Sequence, residues 1–580
     1  MENNQVAAFL DEIADLLELK GDSKYRVGAY RGAARNVAET TEAVEHLWTA
    51  GELEEIPGIG KSIASKVSDL LQTGHSSYLE DLRHEVPTGI RELLTVPGLG
   101  ASRARMVHDE LGIQTVAELE AAAREHRLRG VPGIREKTEE KILREIERLQ
   151  ERSQRMLLGA ALPAAEEVAA TLARNPLVRR VQPAGSIRRM KETIGDIDLI
   201  ASSERPGDVT TAFTQLPIVK EVLGSGPTKA SVLTRQNLQI DLRVVQPEAY
   251  GAALQHFTGS KQHNIALREI AISQGYKLNE YGLFEEPAGN RVAFENEADI
   301  YNRLGMDWMP PEIRENRGEL EAAAKHRLPE LVKLEDLRGD LQMHTNWSDG
   351  TATLEVMVAA CREMGYDYAA ITEHSRSLKI ANGLSVERLE ERLTEIERLN
   401  ERVVPFRILT STEVDILRDG SLDYPDEILA RLDLVVASVH TSFKMDREQM
   451  TERIVRALRN PHVDVLGHPT GRVLLRRDPY ELDLEKVIEV AAEHGVALEI
   501  NAFPDRLDLD DIWSKHAQEH GAMLSISTDA HAPDHLTYMR YGVGVARRAW
   551  LEKKDVLNAL PLEELLTKLR ARGHPLPNAA

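Results

Sequence analysis

Two sets of residues have types and spacing that suit chemistry on phosphate. In GSIRRMKETIGDIDLI (185–200), Asp196 and Asp198 stand at i and i+2, and a third acid, Asp241, lies in LQIDLRVV. On a strand an i, i+2 pair shares one face, so two strands can set three carboxylates together. Such a cluster repels itself until divalent cations neutralise it, and two Mg²⁺ or Mn²⁺ ions held this way suit in-line attack on phosphorus. Ser186, Arg189 and the backbone at Gly195 are placed to grip a triphosphate. The second set is His344, Asp349, His374, Glu413, His440, His468, Asp529 and His531. Imidazoles and carboxylates without cysteine suit Mn²⁺, Zn²⁺ or Fe²⁺ in a polynuclear hydrolytic site. Gln342 stands two residues before His344, where such sites often open with His-x-His. An amide oxygen ligates Mg²⁺ or Mn²⁺ but serves Zn²⁺ less well than imidazole does.

A lone histidine is ordinarily a surface or hydrogen-bonded residue, so position matters more than identity. After residue 339 short apolar runs alternate with helical stretches: AAITEH, RILTSTEVDI, LDLVVASVH, VDVLGH, VALEINA and MLSISTDAH. That alternation predicts parallel strands with covering helices. His374, Glu413, His440, His468 and Asp529 each stand at or just past the end of a run. Barrel enzymes place their chemistry at the carboxyl ends of strands.

Upstream, the chain to about residue 150 reads as short amphipathic helices. LEEIPGIGKSIASKV (53–67) and LLTVPGLGASRARMV (93–107) share Pro-Gly-apolar-Gly between helical flanks; they resemble helix-hairpin-helix elements, and that resemblance implies Gly58, Gly60, Gly98 and Gly100 as DNA-binding positions. Glycines there permit a tight turn and bring backbone N–H groups to an anion at the following helix. A partial third copy, LRGVPGIREKTEEKI (128–142), has Arg135 at the second glycine. From 176 to 245, VRRVQPAG, GDIDLIASS and LQIDLRVVQ predict strands of an α+β unit; 251–320 reads as helix and turn. ENRGELEAAAKHRLPELVKLEDL then reads as a charged, helix-like connector.

Hydrophobic residues at 42% and charged residues at 29% describe ordinary globular domains. The net charge of −22 alone opposes a nucleic-acid partner, but acidic metal ligands can mask local basic patches. The single cysteine, Cys361, excludes an internal disulfide and cysteine-cluster zinc. MENNQVAAFLDEIADLL has no signal-peptide pattern, and no run of about 18 apolar residues occurs. The expected setting is the cytoplasm, at the nucleoid, without a membrane partner.

With these residues in view, the chain is similar to family X DNA polymerases. FTGSKQHNIALRE (257–269) and YKLNEYGLF (276–284) resemble the segment that meets the incoming nucleotide and template base, which implies contacts from Phe257, Gly259, Asn264 and Arg268. His256 replaces the family's usual tyrosine beside the sugar and leaves ribonucleotide discrimination open. KYRVGAYRGAARNVAE (24–39) with the first hairpin resembles the small amino-terminal domain that binds the downstream end of a gap. Lys66 aligns with a lysine that some relatives use as a Schiff-base nucleophile on an abasic sugar; a plain phosphate contact is the other reading. The order DLQMHTNWSDG, ITEH, STEVD, SVH, LGHP, STDAH resembles the PHP (polymerase and histidinol phosphatase) domain. This implies up to three divalent metals and phosphodiester hydrolysis, as a 3′→5′ exonuclease using metal-activated hydroxide. Gln342 departs from the family's first histidine, and Ser411 stands where a glycine usually precedes x-Glu.

The resemblance implies a helical amino-terminal domain (1–85), fingers with helix-hairpin-helix motifs (86–150), an α+β nucleotidyltransferase palm (151–250), a thumb (251–320), a linker (321–338) and a distorted α/β PHP barrel (339–580). The expected function is a monomeric repair polymerase that fills short gaps, taking dNTPs and gapped or primer-template DNA. Its barrel would trim 3′ ends. The alternative is a polymerase whose barrel is mainly structural. A small-molecule phosphatase fused to another nucleotidyltransferase conflicts with the hairpins.

Overall fold

Apolar spacing winds the first part of the chain into helices: along Asn3–Lys20, Val6, Leu10, Ile13 and Leu17 form one buried stripe. Ser23 starts the next helix, Lys24–Glu39, its hydroxyl accepting from the Arg26 N–H at 3.3 Å. The computed structural model describes residues 3–40, 42–86, 88–96, 99–153 and 155–571. It divides into two units, Met1–Gln154 with Ser377–Ile380, and Arg155–Arg376 with Ala381–Ala580. Among the described residues no helix is long and apolar enough to cross a membrane.

The first unit holds the hairpins. Gly58 takes φ +84° between buried Ile56 and Ile59, and the helix Lys61–Thr73 starts after Gly60. Gly100 takes φ +62° and opens the helix Gly100–Leu111, whereas Gly98 lies outside the described residues. The partial copy repeats the first turn: Gly133 has φ +83° between buried Val131 and Ile134, ahead of the helix Glu136–Ser153. Arg135 therefore replaces the second glycine without altering the turn.

In the second unit, β1 (Arg180–Pro183), β2 (Ile197–Ser202), β3 (Val219–Ser225), β4 (Lys229–Thr234) and β5 (Gln239–Val245) form one sheet in the order β1-β2-β5-β4-β3. Only β2 and β5 run parallel. The helices Leu158–Ala173 and Pro206–Thr214 bury Leu162, Ala165, Val209 and Phe213 in the core shared with the sheet. The reading of 251–320 as helix and turn needs correction: after the helices Tyr250–Thr258 and Lys261–Ser273, an antiparallel sheet forms from Tyr276–Asn279, Gly282–Glu285 and Asn290–Ala293. These four-residue strands are too short to show a period. The helix-like connector is α-helical only over Glu319–Ala324, with one 3-10 turn at Leu334–Asp336; Pro329 lies between them, and Leu331 and Val332 are buried.

Seven parallel strands follow in sequence order: β6 (Gly339–Asp340), β7 (Tyr368–Ile371), β8 (Arg407–Asp415), β9 (Leu434–Ser438), β10 (Val465–Leu466), β11 (Ala497–Asn501) and β12 (Leu524–Ser527). A parallel bridge between Met343 and Ala530 joins the two ends, so the sheet curls into a nearly closed barrel. Crossover helices such as Leu354–Glu363 and Leu484–His494 cover it.

Candidate functional site

Parallel pairing of β2 with β5 sets Asp198 directly beside Asp241, and Asp196 stands one residue before β2. The turn Gly185–Arg188 comes up against them, with Gly185 at φ +60°. A methyl at Gly185 would lie 2.4 Å from Asp198 Oδ2, so this approach needs a bare backbone. Lys229 Nζ lies 3.0 Å from Asp241 Oδ2, and Gln239 Nε2 donates to its Oδ1 at 3.1 Å. Burial would raise Asp241, but bonds from Lys229, Gln239 and Ser231 outweigh it and hold the carboxyl below its usual range. For Asp198, burial and then the charges of Asp196 and Asp241 win, pushing it up to about 7. A cluster that cannot keep all its charges at neutral pH fits a pair of divalent cations.

Ser186 lies in the same turn, and Gly195 is exposed just before the acids. Arg189 closes the turn: its Nε donates to Glu315 Oε1 at 3.0 Å and its Nη1 to the Thr258 carbonyl at 2.5 Å. Gly259 packs close by, where a methyl would lie 3.3 Å from Arg189 Nη1. Phe257 is half-buried, with the Arg243 guanidinium 4.3 Å from its ring centre and His256 edge-on at 4.9 Å. Burial lowers His256 and so favours its neutral ring. Asn264 donates to the His256 carbonyl at 2.6 Å, and exposed Arg268 donates to the Asn264 carbonyl at 3.2 Å.

In the first unit, Asn36 Nδ2 donates to the Pro57 carbonyl at 2.5 Å and fixes the loop that carries Gly58 and Gly60. Lys66 sits on the following helix, its Nζ donating to the Ser62 carbonyl at 2.9 Å and lying 4.7 Å from the Tyr78 ring centre. Partial burial, then the Arg26 charge, lower it. That is the direction a Schiff-base nucleophile requires.

At the barrel's carboxyl end, β8 carries Glu413 to the centre of an imidazole cluster. His374 Nδ1 lies 3.0 Å from Glu413 Oε2, while His468 Nε2 and His440 Nε2 lie 3.1 Å and 3.4 Å from Oε1. Asp349 forms the second focus, with His374 Nε2 at 3.5 Å, His531 Nε2 at 3.4 Å and His344 Nδ1 at 3.8 Å. His344 Nε2 lies 3.2 Å from Asp529 Oδ1. Burial would lower His440 and His531, yet the carboxylates push both up to about 9. Imidazoles that hold protons only because anions crowd them form a site whose protons cations can replace. Both ring nitrogens of His344, Nδ1 of His374 and Oε2 of Glu413 are buried and make no well-directed hydrogen bond despite their close carboxylate and imidazole neighbours, as ligand atoms aimed at cations would be. Gln342 is buried among them: its Nε2 donates to Glu413 Oε1 at 3.1 Å, and its Oε1 is also unpartnered. Ser411 lies back from this focus, its hydroxyl donating to the Ile371 carbonyl at 2.7 Å.

Several neighbours were not singled out from sequence. Asp415 Oδ1 meets His440 Nδ1 at 2.8 Å, which turns Nε2 toward Glu413. Asn501 donates to Asp529 Oδ2 at 3.1 Å, and Glu499 accepts from the His468 N–H at 2.6 Å. Glu499 and Asn501 repeat, at the end of β11, the i, i+2 polar pattern of Glu413 and Asp415 at the end of β8. That repetition was the available signal.

Four family descriptions match this chain: a helix-hairpin-helix domain over 1–76, a SAM-like helix-hairpin-helix tandem over 90–148, the DNA polymerase beta thumb over 253–315 and the PHP domain over 340–503. A "DNA polymerase/3′-5′ exonuclease PolX" of Bacillus subtilis (strain 168) is 39% identical over 97% of this chain and 99% of its own length. A probable phosphatase of Thermoanaerobacter sp. (strain X514) is 33% identical over 28% of this chain and 67% of its own length. The crystal structure of Leishmania infantum polymerase beta in a ternary P/T complex shares 25% identity over 39% of this chain and 98% of its own, with a TM-score of 0.27.

Proposed function

Since the chain belongs to the bacterial family X DNA polymerases that carry a PHP domain, we propose that it fills short gaps during DNA repair and trims 3′ ends with its barrel. The observation that carries the polymerase half is the side-by-side register of Asp198 and Asp241 against the Gly185 turn. Divalent cations held by Asp196, Asp198 and Asp241 would lower the pKa of a primer hydroxyl and take charge on the leaving pyrophosphate. Against the pull of burial, Lys229, Gln239 and Ser231 favour the ionised form of Asp241. Ser186, the Gly195 backbone and Arg189 face the triphosphate; Phe257, Gly259, Asn264 and Arg268 bound the sugar and base. The glycines of the first two hairpins grip DNA phosphates, and Lys66 attacks abasic sugars.

In the barrel, Gln342, His344, Asp349, His374, Glu413, His440, His468, Asp529 and His531 hold the ions, which would supply Lewis acidity and an activated water for phosphodiester hydrolysis. Asp415 orients His440, and the Asp529 carbonyl, 2.7 Å from His531 Nδ1, orients His531. The test is one labelled primer on gapped duplex with Mg²⁺ or Mn²⁺, with and without dNTPs. Asp198→Ala should abolish lengthening; unchanged synthesis would remove the palm assignment. His344→Ala and Asp529→Ala should lose shortening and keep lengthening. If both variants still degrade the primer, the barrel is a structural module and the nuclease lies elsewhere.

A further inference from the structure

The palm turn that ends in Arg189 does not stand alone. Arg548, 359 residues later on the barrel helix Met539–Arg548, is a buried arginine that reaches into the palm. Its Nη1 donates to the main-chain carbonyl of Arg189 at 2.8 Å and to Glu315 Oε1 at 3.0 Å. The same Glu315 oxygen accepts from Arg189 Nε at 3.0 Å. Arg189 is thus held from both ends, through its own carbonyl and through the carboxylate it shares with Arg548. The barrel anchors Arg548 in turn: its Nη2 donates to Asp511 Oδ2 at 2.8 Å, and that oxygen also takes Arg317 Nη1 at 2.8 Å.

The residues after Arg189 are seated on the same wall. Met190, at φ +53°, packs against Gly544, where a methyl would lie 2.7 Å from its terminal carbon. Glu192 accepts from two nitrogens of Arg472, at 2.5 Å and 3.3 Å. With Nε and Nη1 of Arg189 engaged by Glu315 and Thr258, its Nη2 is the guanidinium nitrogen without a partner among the described residues.

We infer that the barrel is a positioning element for nucleotide binding in the palm, with Arg548 acting through Glu315 to orient Arg189 toward the triphosphate. A guanidinium fixed beforehand loses little freedom when it meets phosphate oxygens, so the fixing lowers the nucleotide concentration needed. The inference rests on the reading of Arg189 as a triphosphate ligand.

The experiment measures KM for a dNTP and kcat on single-nucleotide-gapped DNA, using the full chain. The variants are Arg548→Met, Arg189→Met and the double variant, with Arg548→Lys as the conservative replacement. Arg548→Met should raise KM about tenfold, the worth of roughly one charge-assisted hydrogen bond, while kcat moves far less. Arg548→Lys should recover part of that rise. In the Arg189→Met background, Arg548→Met should add nothing, because both changes remove one interaction. Additive effects, or an unchanged KM in Arg548→Met beside a raised one in Arg189→Met, would overturn the inference and leave the Arg189 reading standing. An unchanged KM in Arg189→Met removes both. Should Arg548→Met unfold, judged by melting and by loss of 3′ shortening, Glu315→Gln carries the same comparison at nearly constant volume.

Discussion

Gly185→Ala tests the palm geometry with one methyl group. That methyl would start 2.4 Å from Asp198 Oδ2, and ordinary contact begins near 3.4 Å, so carboxylate and turn must part by about 1 Å. At φ +60° an alanine also carries left-handed backbone strain of about 1 to 2 kcal/mol, which further favours displacement of the turn from Asp198. A reacting group displaced by about 1 Å loses on the order of a hundredfold in rate. The assay is single-turnover extension on gapped duplex at saturating dNTP and Mg²⁺, with DNA binding measured separately. Extension should slow about a hundredfold while DNA affinity and 3′ shortening hold. A rate within about threefold of wild type would refute the claim that Gly185 is required for the approach to Asp198.

Three further outcomes follow from the geometry. Gln342→His places imidazole beside Glu413 and should raise the metal retained per chain after dialysis and change the Mn²⁺ to Zn²⁺ preference; no change in either marks the position as a spectator. Asp415→Ala removes the acceptor from His440 Nδ1 and should weaken metal affinity or nuclease rate about 10- to 100-fold, with primer extension unaltered. Glu297 lies buried between Arg188 Nη1 at 2.8 Å and Arg314 Nη1 at 2.6 Å, with Trp308 Nε1 at 2.9 Å. Burial would raise this carboxyl, but the two arginines hold it well below the usual range. Glu297→Gln should cost about 3 kcal/mol, seen as a lower melting temperature. Because the folded value is depressed, this stabilisation is complete above about pH 5 and fades as pH falls below the unfolded value near 4.3. The gap between wild type and variant should therefore narrow from pH 6 to pH 3.5; a widening gap contradicts the assignment.

The clustering of the candidate residues is legible where a period or a boundary carries it. Asp196 and Asp198 announced themselves by i, i+2 spacing, and the barrel residues by recurring at the ends of apolar runs. Two palm strands, Val219–Ser225 and Lys229–Thr234, carry no comparable signal in the sequence. In Val219–Ser225 most side chains are exposed, so no alternation marks the strand. Lys229 lies on one of them and has no local pattern of its own, although it is 3.0 Å from Asp241 Oδ2 and helps hold that carboxyl below its usual range. The pairs Arg548–Glu315 and Arg472–Glu192 join residues hundreds of positions apart. Single charges on separate elements have no local pattern, so only the folded chain reveals them.

His374 belongs to both foci of the barrel site, grouped once with His344, Asp349 and His531 and once with Glu413 and His440. It does so through different nitrogens, Nε2 toward Asp349 and Nδ1 toward Glu413. If cations fill both halves, a ring shared in this way would make their occupancy interdependent. A cation taking the place of the proton on one nitrogen would change the basicity the other nitrogen offers. Filling and emptying would then be linked events, with a titration that no pair of independent binding curves reproduces. Loss of His374 would strip both halves, whereas loss of His531 or His440 would strip one.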